Sequence, residues 1–525
     1  MPVQIGRRPV KRSARFVPFI LVVCFVAGCA TQEVWQKPAP DFAQAPRPEG
    51  LFAELEQRIA AAHGNERSGF NLLERNDRAL LWRLASIDSA RHSIDLQYYV
   101  WFGDTLGKLM MFRVIDAADR GVKVRILFDD LNTMLHDMTH VELRDVLLAR
   151  VDRHPNIEIR VFNAWQDRSL FGRAVGMAAD FKRLNRRMHN KQLIVDNRVA
   201  IIGGRNLGDE YFGLNPDFNF HDLDVLGVGP VARQASQVFD RYWNSDWVRS
   251  IPKVAGEEPV AVDDELGKKS LAALMSHPSL QALNAAQNDW RDQVTDLAPI
   301  LAIGASQVHT DSPARDRDTR NHVPEAFRAL MRSARREVLI TNAYIIPDAN
   351  FMGDLRELAE RGVTLRILTN SLSSHDVPAV NSHYEQWRGQ ILESGAQLHE
   401  LRSDAEVQSE IVDLPPLRAE FVGLHTKAMV IDRERVFVGS MNLDPRSEML
   451  NSEMGVIIDS HALAEKLAER MERDMGGANS WQVVLAEDGS LRWRSTAGEL
   501  TRQPARSFWQ RVEDVIFKLF PANLY

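Results

Sequence analysis

The chain has 525 residues, 45% of them hydrophobic, two cysteines and a formal net charge of −7. That length exceeds what one hydrophobic core usually serves and predicts two domains. The acidic balance excludes a general nucleic-acid binder, which needs a basic stripe to neutralise phosphates.

At the N-terminus, Arg7, Arg8, Lys11, Arg12 and Arg15 precede a short apolar run from Phe16 to Val26. The run cannot span a bilayer comfortably, so residues 1–28 read as a targeting segment. It ends in Val26-Ala27-Gly28-Cys29, which resembles the lipobox of bacterial lipoproteins. That likeness implies an acylated Cys29 and a periplasm-facing lipoprotein of the cell envelope, in the inner or the outer membrane. Cys24 and Cys29 are the only cysteines, so the mature domain must hold without an internal disulfide. Residues 29–62, with Pro38, Pro40, Pro46 and Pro48, read as an extended tether.

From there the chain repeats itself, and a repeat fixes architecture before single elements do. Ser89-Ala90-Arg91 followed by Ile94-Asp95-Leu96-Gln97-Tyr98-Tyr99 matches Ser333-Ala334-Arg335 followed by Val338-Leu339-Ile340-Thr341-Asn342-Ala343-Tyr344. Asp119-Arg120-Gly121-Val122-Lys123-Val124-Arg125-Ile126-Leu127 matches Glu360-Arg361-Gly362-Val363-Thr364-Leu365-Arg366-Ile367-Leu368, a helix stopped by glycine and then a buried strand. Each half alternates helix and strand, which predicts an α/β fold of two similar lobes, each a mixed sheet flanked by helices, with a single site at their interface. Lobe one is placed at residues 63–250 and lobe two at 300–475. Residues 251–299 read as a polar connector without chemistry, and 476–525 as a C-terminal extension.

The third repeated landmark carries the chemistry. His189-Asn190-Lys191, Asp196, Gly203-Gly204 and Asn206 recur as His425-Thr426-Lys427, Asp432, Gly439-Ser440 and Asn442. Gln192–Val195 and Ala428–Ile431 are mostly apolar and read as strands, so the histidine and lysine two apart point the same way. A returning strand, 199–202 or 436–438, delivers the glycine turn and the asparagine. Amides freed by glycine, the lysine ammonium and an asparagine NH2 make an anion cradle suited to phosphate. Two such sets also supply a nucleophile and a general acid.

These are similar to the paired signature motifs of the phospholipase D superfamily, over nearly everything from Ser89 to Gly455. Within it, Gly203-Gly204-Arg205-Asn206-Leu207-Gly208-Asp209-Glu210-Tyr211-Phe212 and Asn451-Ser452-Glu453-Met454-Gly455 most resemble bacterial cardiolipin synthases of the C type. The resemblance implies that His189 and His425 act as catalytic pair with Lys191 and Lys427, that no metal or cofactor is required, and that the chain moves a phosphatidyl group through a covalent phosphohistidine. Asn206 and Asn442 are expected on the phosphate. Asp222, with Asp224 second, and Glu453 are expected behind the histidines, crosswise: Glu453 on His189 and Asp222 on His425. Asp196 and Asp432, fixed members of the motif, are expected to orient the strand and lysine beside them. The substrates implied are phospholipids, phosphatidylglycerol and also phosphatidylethanolamine, at a membrane surface and without nucleic acid. Competing activities are a hydrolytic phospholipase D yielding phosphatidic acid, a nuclease, and a non-catalytic lipid-binding scaffold.

Two further segments are read for membrane contact. The basic run Lys182-Arg183 and Asn185-Arg186-Arg187 reads as a solvated helix face. At the C-terminus Phe508, Trp509, Val512, Val515, Ile516, Leu519 and Phe520 recur at helical spacing ahead of Pro521, opposite Gln510, Arg511, Glu513, Asp514 and Lys518. That stripe either packs on the core or lies on a bilayer.

Overall fold

The computed structural model describes residues 37–130, 147–165, 181–255, 274, 276–281, 290–313 and 322–519. The targeting segment, Cys29, Lys182 as a side chain, and Phe520 and Pro521 fall outside that description, as does most of the expected connector.

Lobe one is built on β1 (Ser68–Leu73), β2 (Ser93–Tyr98), β3 (Lys123–Asp129), β4 (Ile157–Phe162), β5 (Gln192–Val195), β6 (Val199–Gly203), β7 (Phe218–His221), β8 (Asp224–Val228) and β9 (Val248–Ser250). Its pairings give the spatial order β9-β4-β3-β2-β5-β6-β8-β1, with β2, β3 and β4 parallel and the rest antiparallel. Lobe two carries β10 (Ala302–Thr310), β11 (Glu337–Asn342), β12 (Thr364–Asn370), β13 (Gln397–Leu401), β14 (Phe421–Leu424), β15 (Lys427–Ile431), β16 (Arg435–Gly439), β17 (Met454–Asp459), β18 (Ser480–Leu485), β19 (Leu491–Ser495) and β20 (Gly498–Leu500). Here the order is β18-β13-β12-β11-β15-β16-β17-β10, the same arrangement with the same parallel trio. The sequence repeat is therefore a repeat of topology. β1 pairs antiparallel with β10, Gly69 opposite Ile303, and joins the two halves into one continuous sheet. β7 and β14 form a separate parallel pair, one strand from each lobe.

The helices used below are α1 (Leu51–His63), α2 (Asn76–Asp88), α3 (Thr105–Asp119), α4 (Pro230–Trp243), α5 (His322–Arg332), α6 (Ala349–Glu360), α7 (Pro378–Tyr384), α8 (His461–Met475) and α9 (Phe508–Phe517). α3 and α6 occupy equivalent places and start alike: the Asp104 and Asp348 carboxylates accept from the third amide, that of Gly107 and that of Phe351. They also stop alike, at Gly121 (φ 91) and Gly362 (φ 76), a left-handed conformation that glycine adopts without a Cβ penalty. α4 and α8 close the two lobes and share one apolar core. Phe239, Tyr242 and Trp243 lie in the same buried cluster as Leu463, Leu467 and Met471, together with Ile202 of β6 and Val438 of β16. The lobes thus form one folding unit, and the site between them rests on a common floor.

Two expected boundaries shift. Residues 37–62 are not an extended tether: Asp41 and Ala43 donate their amides to Asn244 and Asp240, Arg160 reaches the Ala39 carbonyl, and α1 buries Phe52, Leu55 and Ile59. The prolines that suggested a spacer hold an extended strap against α4, where backbone groups find side-chain partners. Lobe two likewise does not end near residue 475. β18 pairs with β13 as β9 pairs with β4, and β19 and β20 extend the sheet to Leu500.

Candidate active site

Each motif histidine sits where its own lobe's backbone is zipped to the other lobe. The His189 amide donates to the Ser452 carbonyl (2.8 Å), and the Ser452 amide to the Arg187 carbonyl (2.8 Å). On the other side, β7 runs parallel to β14 and the His425 amide donates to the His221 carbonyl (2.9 Å). This zipping brings each histidine to an acid of the opposite half. His189 Nδ1 lies 2.8 Å from Glu453 Oε2, and His425 Nδ1 lies 2.6 Å from Asp222 Oδ2. The pairing is crosswise. Asp224, the second candidate, is instead held by Arg83 (2.9 Å) and Arg205 (3.1 Å) and serves the core.

Lys191 and Lys427, each 1% exposed, turn their ammonium groups to the carbonyls of His189 and His425. Tyr99 and Tyr344, both at the strand ends beside the motif strands, close over them, with ring centroids 5.2 Å and 5.8 Å from the respective Nζ atoms. Tyr99 also meets His189 edge-on at 4.9 Å, and Tyr211 meets His425 at 5.1 Å. These tyrosines were not singled out from the sequence as site residues. The signal was present in the repeated Tyr98-Tyr99 and Tyr344 at the ends of strands that pair with the motif strand.

The electrostatics of the two halves differ. Burial, with Lys191, Lys427 and His425 adding to it, pushes the His189 pKa well down. Its Nδ1 is also 3.1 Å from the Ser440 carbonyl oxygen, which can only accept, so Nδ1 carries the proton and Nε2 presents its lone pair. Burial raises Glu453 to about 7 against the pull of Lys191, while Ser440 Oγ (2.5 Å) and Ser447 Oγ (2.9 Å) donate to it. Burial works against ionised Asp222 too, but the charge and hydrogen bond of His425, with Lys427 and Arg205, hold that carboxyl below its usual range. His425 is lowered by burial and Lys427, and Asp222 opposes the shift. Burial brings Lys191 down to about 7 and Lys427 to about 8. The site therefore presents a neutral imidazole on one side, an imidazole backed by an ionised carboxylate on the other, and two desolvated amines between charged neighbours.

Other motif members take roles different from those expected. Asp196 and Asp432 close the far ends of β5 and β15, five residues and roughly 16 Å of strand from the lysines. Asp196 accepts from the amides of Arg91, His92 and Ser93, and Asp432 from those of Arg335, Arg336 and Glu337. They orient the strand beside the motif strand by pinning the start of β2 and β11, and these contacts do not reach lysine. The amides of the glycine turns are not free for an anion either: Gly203 donates to the Lys191 carbonyl and Gly204 to that of Leu223, and Ser440, in the place of Gly204, donates to that of Met454. Gly203 and Gly204 are required for room, because a Cβ on Gly204 would stand 2.2 Å from Asp222 Oδ1 and one on Gly203 would stand 2.3 Å from Asp224 Oδ1. Asn206 is committed internally, accepting from the Val100 amide (3.2 Å) and donating to the Tyr211 hydroxyl (2.9 Å). Asn442 is buried, with side-chain Oδ1 unpartnered and its backbone N–H donating to Ser447 Oγ (3.3 Å). Arg187, expected on a solvated face, is 1% exposed and paired with Asp129, whose other oxygen accepts the Met188 amide and so fixes the approach to His189.

Glu74, His221 and Asp474 lie within 4.8 Å of one another. Arg473 bridges both acids and Arg470 reaches Glu74 (3.3 Å), so the cluster is already neutralised by arginine. That donor set suits an ion-pair network beneath His221 rather than a cation site.

The sequence and fold have relatives. A family model described as cardiolipin synthase, phospholipase D-like domain, matches residues 84–243 and 327–475. Cardiolipin synthase C of Escherichia coli (strain K12) is 35% identical over 460 residues, 86% of this chain and 94% of that protein. The major cardiolipin synthase of Bacillus subtilis (strain 168) is 26% identical over 394 residues, 75% of this chain and 66% of that protein. In fold, the crystal structure of phosphatidylserine synthase from Haemophilus influenzae Rd KW20 superposes with a TM-score of 0.53 at 11% identity, over 81% of this chain and 91% of that one.

Proposed function

The chain belongs to the phospholipase D superfamily, in its cardiolipin synthase-like branch, and is an enzyme of that superfamily; we propose that it transfers a phosphatidyl group to the hydroxyl of phosphatidylglycerol through a phosphohistidine. The observation that carries this reading is the crossed pair of histidine–acid contacts around two buried lysines. In the first step His189 Nε2 attacks phosphorus, the P–O bond to the headgroup breaks, and the departing alkoxide takes a proton from His425. In the second, His425, neutral after that donation, removes the proton of an incoming glycerol hydroxyl, whose oxygen displaces His189, so that His189 returns to the neutral imidazole and His425 to the imidazolium that began the cycle. His189 suits the nucleophile because its tautomer leaves Nε2 unprotonated, and His425 suits the acid because ionised Asp222 stabilises an imidazolium. Lys191 and Lys427, with Asn442, stabilise charge on the nonbridging oxygens, as electrostatic stabilisation requires donors already in place. With water as acceptor the product is phosphatidic acid.

The likeness to cardiolipin synthases favours a lipid acceptor. The test is purified protein with labelled phosphatidylglycerol and phosphatidylethanolamine, followed by mass spectrometry of all lipid products. Labelled cardiolipin supports transfer, phosphatidic acid alone makes the enzyme a hydrolase, and turnover of DNA without lipid turnover would overturn both. Membrane attachment through acylated Cys29 belongs to the same proposal. Cys29→Ser should then lose fatty-acid labelling and fail to be processed or leave the membrane fraction, whereas unlabelled wild-type protein in the soluble cytosol would contradict it.

A further inference from the structure

The C-terminal helix α9 is docked inside out. Its polar residues Gln510 and Asp514, one turn apart, are 5% and 1% exposed. Gln510 Nε2 donates to the Leu372 carbonyl (2.5 Å), Asp514 accepts from Asn381 of α7 (2.6 Å), and Ser507 caps the helix by accepting from the Gln510 amide. Arg506 fastens the approach by donating to the Ser373 carbonyl and lying over the Phe421 ring at 3.5 Å. Outward face Phe508 (72% exposed), Trp509 (71%), Val515 (60%), Ile516 (49%) and Leu519 (83%).

Helices of soluble proteins bury the apolar stripe, because each large side chain taken from water stabilises the fold. This helix forgoes that gain on four large side chains, with Leu519 just beyond its end a fifth, and uses its polar face for specific anchoring. The same segment that receives α9 walls the active site: Asp376 accepts from the Tyr344 hydroxyl (2.7 Å), His375 stacks on Tyr344 at 5.2 Å, and Tyr344 covers Lys427. The helix that carries the stripe is therefore anchored to the segment that walls the catalytic cleft.

Resting on the reading of the chain as a phospholipid transferase, we propose that α9 is an interfacial helix whose Phe508–Leu519 face enters the headgroup–acyl boundary of an anionic bilayer and presents the cleft to its lipids. Tryptophan and phenylalanine favour that boundary, and Arg511 flanks the stripe on one edge as the cation open to anionic headgroups, while Lys518 beside it is paired with Glu385 and Glu513 stands on the other edge. A second copy of the chain is a poorer occupant. A ten-residue helix is about 15 Å long, and at roughly 10 Å width its face falls well short of the roughly 600 Å² per partner at the low end of stable interfaces.

The test uses the full chain with vesicles of equal parts phosphatidylglycerol and phosphatidylcholine, and a short-chain phosphatidylglycerol below its micelle concentration. Phe508→Ser/Trp509→Ser/Ile516→Ser should lower turnover of vesicle lipid about 10- to 100-fold, the effect of losing a few kcal/mol of interfacial burial, and leave turnover of the monomeric substrate unchanged. With brominated acyl chains, tryptophan quenching seen in the wild type should be lost in Trp509→Phe. Wild-type vesicle turnover by the triple variant would overturn the inference, as would equal loss on both substrates, which would make α9 a brace, or a change only in oligomeric state. Absence of turnover of either lipid by the wild-type protein would instead overturn the transferase reading, and the quenching arm would still decide the fate of α9.

Discussion

At the scale of single residues the two histidines are related by the repeat yet differ in chemistry, because Gly204 and Ser440 differ. Ser440 gives its hydroxyl to Glu453 and its carbonyl to His189, whereas Gly204 leaves Asp222 room to hold His425 as an ionised carboxylate. His189→Ala and His425→Ala are each expected to abolish turnover with an unchanged far-ultraviolet circular dichroism spectrum, and retention of more than a few per cent activity would remove either from the mechanism. Asp222→Asn is expected to lower kcat about 10²–10⁴-fold, the range of a lost general acid–base contribution. Glu453→Gln should lose less, since an amide oxygen still accepts from His189 Nδ1. Single-turnover rates of the two variants compare the halves directly.

In the proposed mechanism the lysines supply the charge that a metal would otherwise bring to a phosphate, so activity should survive exhaustive chelation; loss with EDTA restored by one specific metal would contradict this. They also give a pH dependence. Lys191 and Lys427 fall to about 7 and about 8 by burial, far below the ordinary 10.5. Between those values the unfolded chain binds more protons than the folded one, so the empty enzyme gains stability as pH rises through this window. Affinity for an anionic phosphate moves the opposite way, because the ammonium groups are lost. We expect kcat/KM to fall above about pH 7 to 8 while the melting temperature does not, and a parallel fall of both would contradict the assignment.

At the scale of elements, Asp196 and Asp432 show a motif residue whose function is placement. Each gathers three backbone amides where a helix hands over to the strand next to the motif strand. Asp196→Ala should destabilise the fold by about 1–3 kcal/mol, the penalty for leaving buried amides unpaired, and should leave kcat per folded molecule near wild type. Thermal melts beside active-site titration separate the two. Spacing could reveal that these aspartates belong to the motif but not that they lie a strand's length from the lysines, because the residue that pairs with a side chain across a sheet is set by register. For the same reason the tyrosines over the lysines were legible only as strand ends, and the glycine amides were read as free although strand pairing consumes them.

At the scale of the whole molecule, the repeat gave the topology because hydrophobic period and glycine stops are local signals, and both halves carry them. What the repeat could not convey was closure. The β1–β10 pairing, the β7–β14 pair and the core shared by α4 and α8 are contacts between distant segments. The strap at residues 37–49 and the strands after residue 475 escaped for a related reason: prolines and short polar strands resemble linkers until a partner surface is known. Because each histidine takes its acid from the other half, neither half alone contains a complete histidine–acid set.

The crossed site and its division of labour are tested most directly by trapping the intermediate. Wild-type enzyme mixed with phosphatidylglycerol, quenched within one turnover into alkaline denaturant to preserve a P–N bond, and digested for mass spectrometry should carry the phosphatidyl mass on the peptide containing His189. Adduct on the His425 peptide would reverse the roles of the two halves, and turnover with no histidine adduct at any quench time would contradict the covalent route.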